Sequence, residues 1–375
     1  MQQTGTEGRL MRIDARLCCF LAAILLCTVA ASAQQSDTSA PPAQSSPRSK
    51  PASAAPKGGM LLDVVVTAKS GPPVGDLQQQ DFTVLDNKVP QTITSFKVVS
   101  GRDASIEVML VLDAVNSVPQ TVSLERLGID KFISAEAGPV AYPLAIGIFT
   151  DKGLQIVGGQ FSRDGGALAA QLDQADIGLR SNTRSQGYYG AVDRFALSIN
   201  TLEKLVEEIG ARPGRKIIVW ISPGWPLLSG VRTSLDEKEK QHIFANIVSL
   251  STQLRAGRVT IYSVDPLGNT EYVGRTSYYK EFIKGVSKPS EVIVGDLGLP
   301  VLAVQTGGLA LNFNNDVAAL LREAISDAAP YYEITFAPAP TDKRDDYHQL
   351  EVQVAKPGLT ARTRQGYYAQ PVPSH

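Results

Sequence analysis

The residue types that most often do chemistry in proteins are scarce in this chain. It has three histidines, His242, His348 and His375, and nothing puts a serine beside a histidine and an acid at a recognisable spacing. The glycines of segment 147–153 lack the G-x-x-x-x-G-K-[ST] spacing of a phosphate loop, and we predict a hairpin turn there. The motifs therefore favour binding over catalysis, with a Ser/His/Asp site assembled in space as the open alternative.

All three cysteines lie within residues 17–31, an apolar run that basic residues precede and Ala-Ser-Ala follows at 31–33. This order is typical of a secretory signal, so we predict a signal peptide over residues 1–33 with cleavage after Ala33. A permanent membrane anchor is less favoured, because the run is shorter than the roughly 20 residues a spanning helix needs. The processed chain would have no cysteine, which excludes disulfides, Cys-zinc sites and cysteine nucleophiles.

The charge and composition of the chain limit its partners. Its 375 residues contain 36 Lys+Arg and 37 Asp+Glu, and 43% of them are hydrophobic. This length suggests two domains with real cores. A net charge of −1 gives no bulk electrostatic reason to bind nucleic acid or an anionic membrane, since that affinity comes from concentrated Lys and Arg. We therefore expect a partner that is recognised by a local surface.

The regions that flank the middle of the chain differ from it in pattern. Residues 34–59 are almost entirely Pro, Ser, Ala, Gln, Lys and Gly, which predicts a disordered linker. Segments 60–102 and 329–370 contain short β-branched runs separated by turn residues, about three strands in each. Neither flank is long enough to form a stable sheet alone, so we predict that they pair with each other in one β-sandwich.

The middle of the chain, 103–328, predicts an α/β domain. Continuous apolar runs indicate strands that are covered on both faces, and amphipathic stretches between them indicate helices. This alternation favours a parallel sheet. The predicted strands lie at 106–114, 142–150, 216–222 and 259–265, and the predicted helices at 122–136, 164–175, 190–210, 236–256 and 315–328.

Several segments of the chain resemble a known family in order and spacing. They are DVVVTAKSGPPVGDLQQQDFTVLDNKVPQTITSF, MLVLDAVNS, FSRDGGALAAQL, ALSINTLEKLVEEIGARPGRKIIVWISPGWP, TGGLALNFNNDVAALLREAISDAAPYYEITF and TARTRQGYYA. Together they resemble the von Willebrand factor type A fold, and more closely the secreted acidobacterial VWFA-related domain family, over nearly all of residues 60–370. The resemblance implies a Rossmann-like domain that binds its ligand at the C-terminal ends of the strands, where open α/β sheets generally bind ligands.

The metal-ion-dependent adhesion site of type A domains is only partly present. That site uses Asp-x-Ser-x-Ser after the first strand, a Thr from a neighbouring loop and an Asp after the fourth strand. Asp113 and Ser117 match, but Val115 replaces the first Ser and Ser222 stands where the Asp would be. No Thr occurs in the loop at 187–190. Because Mg²⁺ requires oxygen ligands in near-octahedral geometry, we expect no metal or cofactor, or at most a very weak Mg²⁺ site made of the two remnant ligands.

Two further features are candidates for ligand contact. Trp225 follows a Ser-Pro-Gly turn, and we predict that it is exposed at the rim of the ligand face. Segment 266–298 combines aromatic and basic residues and suits either recognition or an insertion whose aromatic residues pack on the domain. The candidate ligand-binding residues are Asp113, Asn116, Ser117, Tyr188, Tyr189, Ser222 and Trp225.

These observations predict a secreted or periplasmic, non-enzymatic module for protein interaction. Its partner would be an extracellular or envelope protein, with no nucleic acid and no membrane span after signal cleavage. Asp113 has a structural alternative, in which its carboxylate accepts hydrogen bonds from loop amides and holds the strand-to-helix turn. Two other functions stay open: an extracellular hydrolase, metal-assisted or Ser-based, and a structural component of the cell envelope.

Overall fold

The computed structural model describes residues 59–69, 71–101, 104–135, 139–176, 188–226, 235–268 and 278–371. The predicted signal peptide and nearly all of the predicted linker lie outside the described residues. The strands are β1 Met60–Ala68, β2 Phe82–Asp86, β3 Val89–Gln91, β4 Ile93–Val99, β5 Ile106–Asp113, β6 Leu144–Thr150, β7 Gly153–Ile156, β8 Arg215–Ile221, β9 Val259–Val264, β10 Ala310–Leu311, β11 Tyr331–Phe336, β12 Asp346–Val354, β13 Leu359–Arg362 and β14 Gly366–Ala369. The helices are α1 Pro119–Ser134, α2 Gly165–Gln174, α3 Tyr188–Gly210, α4 Glu237–Ala256, α5 Leu299–Gln305 and α6 Val317–Ser326.

The middle of the chain forms a six-stranded sheet in the order β10-β9-β8-β5-β6-β7. All neighbours are parallel except β7, which pairs antiparallel with β6 through the predicted hairpin. When the six strands are numbered in chain order from β5, their order across the sheet from the β7 edge is 3-2-1-4-5-6. This is the doubly-wound arrangement. The predicted Rossmann-like α/β fold is therefore confirmed.

Helices cover both faces of this sheet because its strands are apolar on both sides. Along β5, Val108, Leu110 and Leu112 face one core, whereas Met109 and Val111 face the other. Side chains of α1, α2 and α6 complete the first core, and those of α3, α4 and α5 complete the second. A carboxylate accepts a hydrogen bond from the first turn of α2, α4 and α6, which sets where each helix begins. The sheet is thereby held rigidly, with the carboxyl ends of its parallel strands at one edge.

The two flanks pair with each other, as predicted. They form two four-stranded sheets, β13-β1-β11-β4 and β14-β12-β2-β3, and each sheet takes two strands from each flank. Their facing side chains share one buried core, which makes a β-sandwich. Each flank supplies four strands rather than about three, because β13 and β14 belong to different sheets and the run at 360–369 therefore divides at Thr363–Gln365.

Charged residues join the sandwich to the α/β domain. Arg258, at the start of β9, forms ion pairs with Asp63 of β1 and, at 2.7 Å, with Glu333 of β11. Arg362 of β13 donates to Asp327 at 2.6 Å, and the Tyr262 hydroxyl of β9 donates to the same carboxylate oxygen at 2.7 Å. The two parts are thus linked by hydrogen-bonded charges that are mostly buried.

Candidate functional site

A cleft of about 550 Å³ lies at the carboxyl ends of the parallel strands. It opens beside β5 and β8, the neighbours between which the strand order reverses, and open α/β sheets bind ligands at such a point. Its volume lies within the usual range for ligand pockets. The residues of its wall that matter below are Asn116, Arg194, Ser222, Trp225 and Tyr279.

Asp113 ends β5 and is completely buried. Its Oδ1 accepts the backbone N–H groups of Val115 and Asn116 at 3.0 and 2.9 Å. Its Oδ2 accepts the indole N–H of Trp220 and the side-chain amide of Asn116, both at 2.9 Å. Burial raises the pKa of Asp113, while hydrogen bonds from Asn116 and Trp220 oppose that rise. Four N–H donors therefore fill the roughly four acceptor sites of this carboxylate, and Asp113 holds the turn after β5.

This arrangement does not fit a hard divalent cation. Such an ion needs free oxygen ligands, but the oxygens of Asp113 already face N–H donors. Val115 is buried and brings no oxygen, and the hydroxyl of Ser117 donates to Glu125 at 2.5 Å. Within the described residues, no group of three His, Cys, Asp or Glu side chains is placed to hold a metal ion. Asp113 and Ser117, the two residues that match the adhesion-site pattern, thus make internal hydrogen bonds.

Glu125 of α1 is a buried acid that sequence reasoning missed. It has no exposed surface, and its Oε2 accepts the backbone N–H of Asp113 at 3.2 Å. Burial raises the pKa of Glu125 well above its ordinary value, the Ser117 hydroxyl lowers it, and the negative charge of Asp113 raises it further. The signal was present in the sequence, since Thr121, Glu125 and Gly128 follow the helical spacing of the buried face of α1. An acid at a core position indicates a site or a buried network.

Because folding raises the pKa of Glu125, its proton should stabilise the fold at low pH. The contribution of Glu125 to the free energy of unfolding should be greatest below about pH 4.5, the ordinary pKa of this group, and should be lost as pH rises through the folded pKa. Glu125→Gln has no proton to lose and should be more stable than the wild type at pH 8, by about 1.4 kcal/mol for each unit of the shift. Urea unfolding from pH 4 to pH 8 measures both profiles. Parallel profiles for the two proteins would contradict this assignment.

Two polar atoms in the cleft wall lack a partner. Asn116 Oδ1 and Trp225 Nε1 are buried and make no hydrogen bond with a described residue. The amide nitrogen of Asn116, by contrast, donates to Asp113 and, at 3.0 Å, to Ser198 of α3, which orients the side chain. Arg194 is half-buried one turn earlier in α3, and its guanidinium has no ion pair within the described part of the chain. The cleft therefore offers an acceptor, a donor and a cation that have no partner among the described residues.

The prediction that Trp225 is exposed at the rim is wrong. Trp225 is only 4% exposed, and its ring packs edge-on against Trp220 with centroids 5.3 Å apart. It belongs to the core under α3 and α4, because the chain after β8 turns back over the sheet and a large aromatic side chain gains most by burial there. Trp225 nevertheless contributes to the cleft wall.

The other predicted site residues fall into three groups. Asn116 and Ser222 line the cleft, although Ser222 is fully buried, and their contact with a ligand stays a prediction. Asp113 and Ser117 are buried and absent from the cleft wall, so their predicted contact with a ligand finds no support in this placement. Tyr188 and Tyr189 begin α3, and their side chains lie outside the described residues.

Segment 266–298 combines the two interpretations that its sequence left open. Tyr279 lines the cleft and is half-buried, and burial raises the pKa of its hydroxyl. Phe282 packs close to Gly295 within the same segment. Residues 269–277 lie outside the described part of the chain. One aromatic residue of this segment is thus placed for recognition and another for packing.

His348 is located in the sandwich rather than at the cleft. It is buried in β12, where its Nδ1 lies 2.8 Å from Asp86 Oδ1, and the Tyr367 hydroxyl donates to the other oxygen of Asp86 at 2.8 Å. This cluster links β2 of one flank to β12 and β14 of the other. Its contacts are those of a structural link between the flanks.

Comparisons with known proteins find similarity among solved structures. No family model and no curated protein matches the chain. Similar solved structures include proximal thread matrix protein 1 from the mussel byssus, at 12% identity and TM-score 0.36 over 63% of this chain and 50% of that one. A von Willebrand factor type A protein from Catenulispora acidiphila is 12% identical, with a TM-score of 0.31 over 78% of this chain and 75% of that one. Manganese-loaded TRAP from Plasmodium vivax is 9% identical, with a TM-score of 0.32 over 76% of this chain and 100% of that one.

The chain spans half the length of the mussel protein that it matches. The order of the six strands defines a doubly-wound sheet, and the fold is von Willebrand factor type A-like. That assignment concerns the fold alone. The described residues contain no helix of the length and apolarity needed to cross a bilayer.

Proposed function

We propose that this protein is a non-enzymatic interaction module that binds a protein partner in the cleft without a cation. The observation that supports this most directly is the state of Asp113, whose carboxylate is filled by N–H donors while groups in the adjacent cleft wall lack partners. We further propose that the module acts outside the cytoplasm, in the periplasm or beyond, on an envelope or extracellular partner. The apolar run and Ala-Ser-Ala site of residues 1–33 support this export.

The unpartnered groups indicate what the cleft would bind. A buried polar atom without a hydrogen bond costs about 1–3 kcal/mol, and a ligand that supplies the bond recovers this cost. Asn116 Oδ1 needs a donor and Trp225 Nε1 needs an acceptor, and a peptide group carries both. Arg194 adds a cation that favours an acidic side chain nearby. A short extended segment of a partner protein, with an acidic residue, matches this set.

Crosslinking tests the location of the binding surface. A photoreactive residue at Val118, which lines the cleft and is 59% exposed, should crosslink to a partner from the native extracellular fraction. The same residue at Val89, which is 58% exposed on β3 of the sandwich, is the matched control and should not crosslink. EDTA should leave the yield at Val118 unchanged. Crosslinking through Val89 alone, or a yield that EDTA abolishes and Mg²⁺ restores, would contradict the proposal.

Two matched tryptophan variants separate binding from folding. Trp225→Phe and Trp220→Phe each remove an indole N–H, but only the N–H of Trp220 has a partner in the fold. Trp220→Phe should therefore be less stable than Trp225→Phe by about 1.5–3 kcal/mol, the value of a hydrogen bond to a charged group. Trp225→Phe should weaken binding of the crosslinked partner about three- to tenfold. Trp220→Phe should bind this partner with unchanged affinity once the affinity is corrected for the folded fraction.

Chemical denaturation and titration with the purified partner measure these two effects. Equal stabilities for the two variants would contradict the role assigned to the Trp220 N–H. Unchanged affinity in Trp225→Phe would remove the indole from the proposed binding surface.

A further inference from the structure

A second cavity, of about 230 Å³, lies at the edge of the parallel sheet opposite the cleft, between α1, α6 and the amino ends of β5 and β6. Val108 of β5 and Leu144 of β6 line it, and both are almost completely buried. Val108 precedes Asp113 by five residues on the same strand, which places the two residues about 16 Å apart along it. The cavity is therefore separate from the cleft.

The wall formed by residues 140–144 is held in place by backbone hydrogen bonds. The N–H of Val140 donates to the carbonyl of Arg163 at 2.9 Å. Leu144 and Ser162 exchange two N–H···O bonds, both of 2.8 Å. The facing wall belongs to the last turn of α6. The cavity is thus preformed by fixed elements of the fold, as small-molecule sites usually are.

Most of the lining is apolar, and part of it is aromatic. Phe132 of α1 and Ile325 of α6 contribute to the lining, together with Val140 and Tyr142. An apolar cavity of about 150 Å³ is large enough to bind benzene, so the present volume has room for one ring and a short arm. Aromatic rings pair favourably with other rings in offset or edge-on contact. The lining therefore suits a molecule with a single aromatic ring.

The polar side chains of the wall favour an anionic group on that molecule. Arg322 lines the cavity and makes no ion pair with a described residue, and no described acid is part of the lining. The hydroxyl of Tyr142 makes no hydrogen bond with a described residue. Burial raises the pKa of Tyr142, and the charges of Arg215 and Arg163 oppose that rise. A second guanidinium is close, since Arg163 Nη1 donates to the carbonyl of Ala141, a wall residue, at 3.0 Å.

We propose that this cavity binds a small aromatic carboxylate. Its ring would lie between Phe132 and the apolar side chains of β5, β6 and α6, and its carboxylate would accept hydrogen bonds from Arg322 and the Tyr142 hydroxyl. A guanidinium matches the two oxygens of a carboxylate, and such charge-assisted hydrogen bonds are stronger than neutral ones. The site is independent of the function proposed above.

Methyl NMR of the full chain, titrated with 3-phenylpropionate, tests the location of the site. The methyl signals of Val108, Leu144 and Ile325 should shift in a saturable way. Those of Val118 and Leu311, which line the cleft, should not shift. Shifts confined to the cleft methyl groups, or no saturable shift, would overturn the proposal. Shifts that follow the protein concentration without the ligand would assign the cavity to a second copy of the chain and would also overturn it.

Two matched serine variants test whether the ligand occupies the cavity. Ser326 lines the cavity, is exposed and donates through its hydroxyl to the carbonyl of Glu323 at 2.7 Å. Ser326→Phe should fill the space and weaken binding at least tenfold. Ser123 is also exposed on a helix and donates to the carbonyl of Pro119 at 3.0 Å, but it does not line the cavity, so Ser123→Phe should bind like the wild type. Equal affinities of the two variants would overturn the proposal.

The neutral amide of the same ligand tests the role of charge. 3-Phenylpropionamide should bind the wild type about threefold or more weakly than the acid, a modest factor because Arg322 is exposed to solvent. Arg322→Met should reduce this difference between the acid and the amide. The wild-type comparison needs no variant, so it decides the question even if Arg322→Met fails to fold. Equal binding of the acid and the amide by the wild type would overturn the assignment of a carboxylate, and tighter binding of octanoate would overturn that of an aromatic ring.

Discussion

Asp113→Ala should lower the free energy of unfolding by about 3 kcal/mol or more and reduce the affinity of the folded protein for its partner much less, because Ser198 still accepts from the Asn116 amide. The substitution removes an acceptor of four N–H groups, including the indole of Trp220, in a place with no access to water. Each buried donor left without an acceptor costs about 1–3 kcal/mol, although relaxation recovers part of the sum. Urea unfolding measures the stability, and titration with the crosslinked partner, corrected for the folded fraction, measures the binding.

The control for this prediction is Asp316→Ala. Asp316 also accepts a backbone N–H, that of Ala319, but it is exposed at the start of α6 and its loss should cost only about 1 kcal/mol. A metal-dependent adhesion site predicts the reverse pattern for Asp113→Ala, with normal stability and lost binding. That result, together with recovery of wild-type binding when Mg²⁺ is added after EDTA, would identify the protein as a metal-dependent adhesin.

Removing residues 360–370 should open the edge of the sandwich. This deletion takes away most of β13 and all of β14, and with them the partners of residues 65–67 of β1. Amide exchange at 65–67 should accelerate about 100-fold or more, because edge residues without a partner exchange through local opening rather than global unfolding. Hydrogen exchange followed by mass spectrometry measures this rate for each peptide.

The control lies within the same strand. Residues 60–64 of β1 pair with β11, which the deletion leaves intact, so their exchange should change less than that of 65–67. If the shortened chain fails to fold, Ala361→Pro interrupts the pairing with Val66 and tests the same contact. Unchanged exchange throughout 61–71 would show that the two flanks are not energetically coupled.

The sequence alone was sufficient to predict the architecture, because its signals are local. The apolar run at 106–114 that ends in Asp, the turn residues after 147 and the apolar face of 190–210 each depend on neighbouring residues. The same reasoning predicted that the flanks pair, since each was too short to form a sheet alone. It did not predict that the run at 360–369 divides between two sheets, because that depends on which strands it meets.

The chemistry of the site was decided by tertiary structure. Trp220 and Asp113 are 107 positions apart, and Asn116 and Ser198 are 82 apart, so no spacing in the sequence reveals their hydrogen bonds. The sequence showed where the chain departs from the adhesion-site pattern, and only the fold showed which N–H groups bind the carboxylate of Asp113. Trp225 was misplaced for a related reason: a turn predicts a surface, but a large aromatic side chain beside a second one is most stable when both are buried. The local pattern of apolar and turn residues determined the fold. Burial and the contacts between side chains that are remote in sequence determined which groups the cleft presents to a ligand.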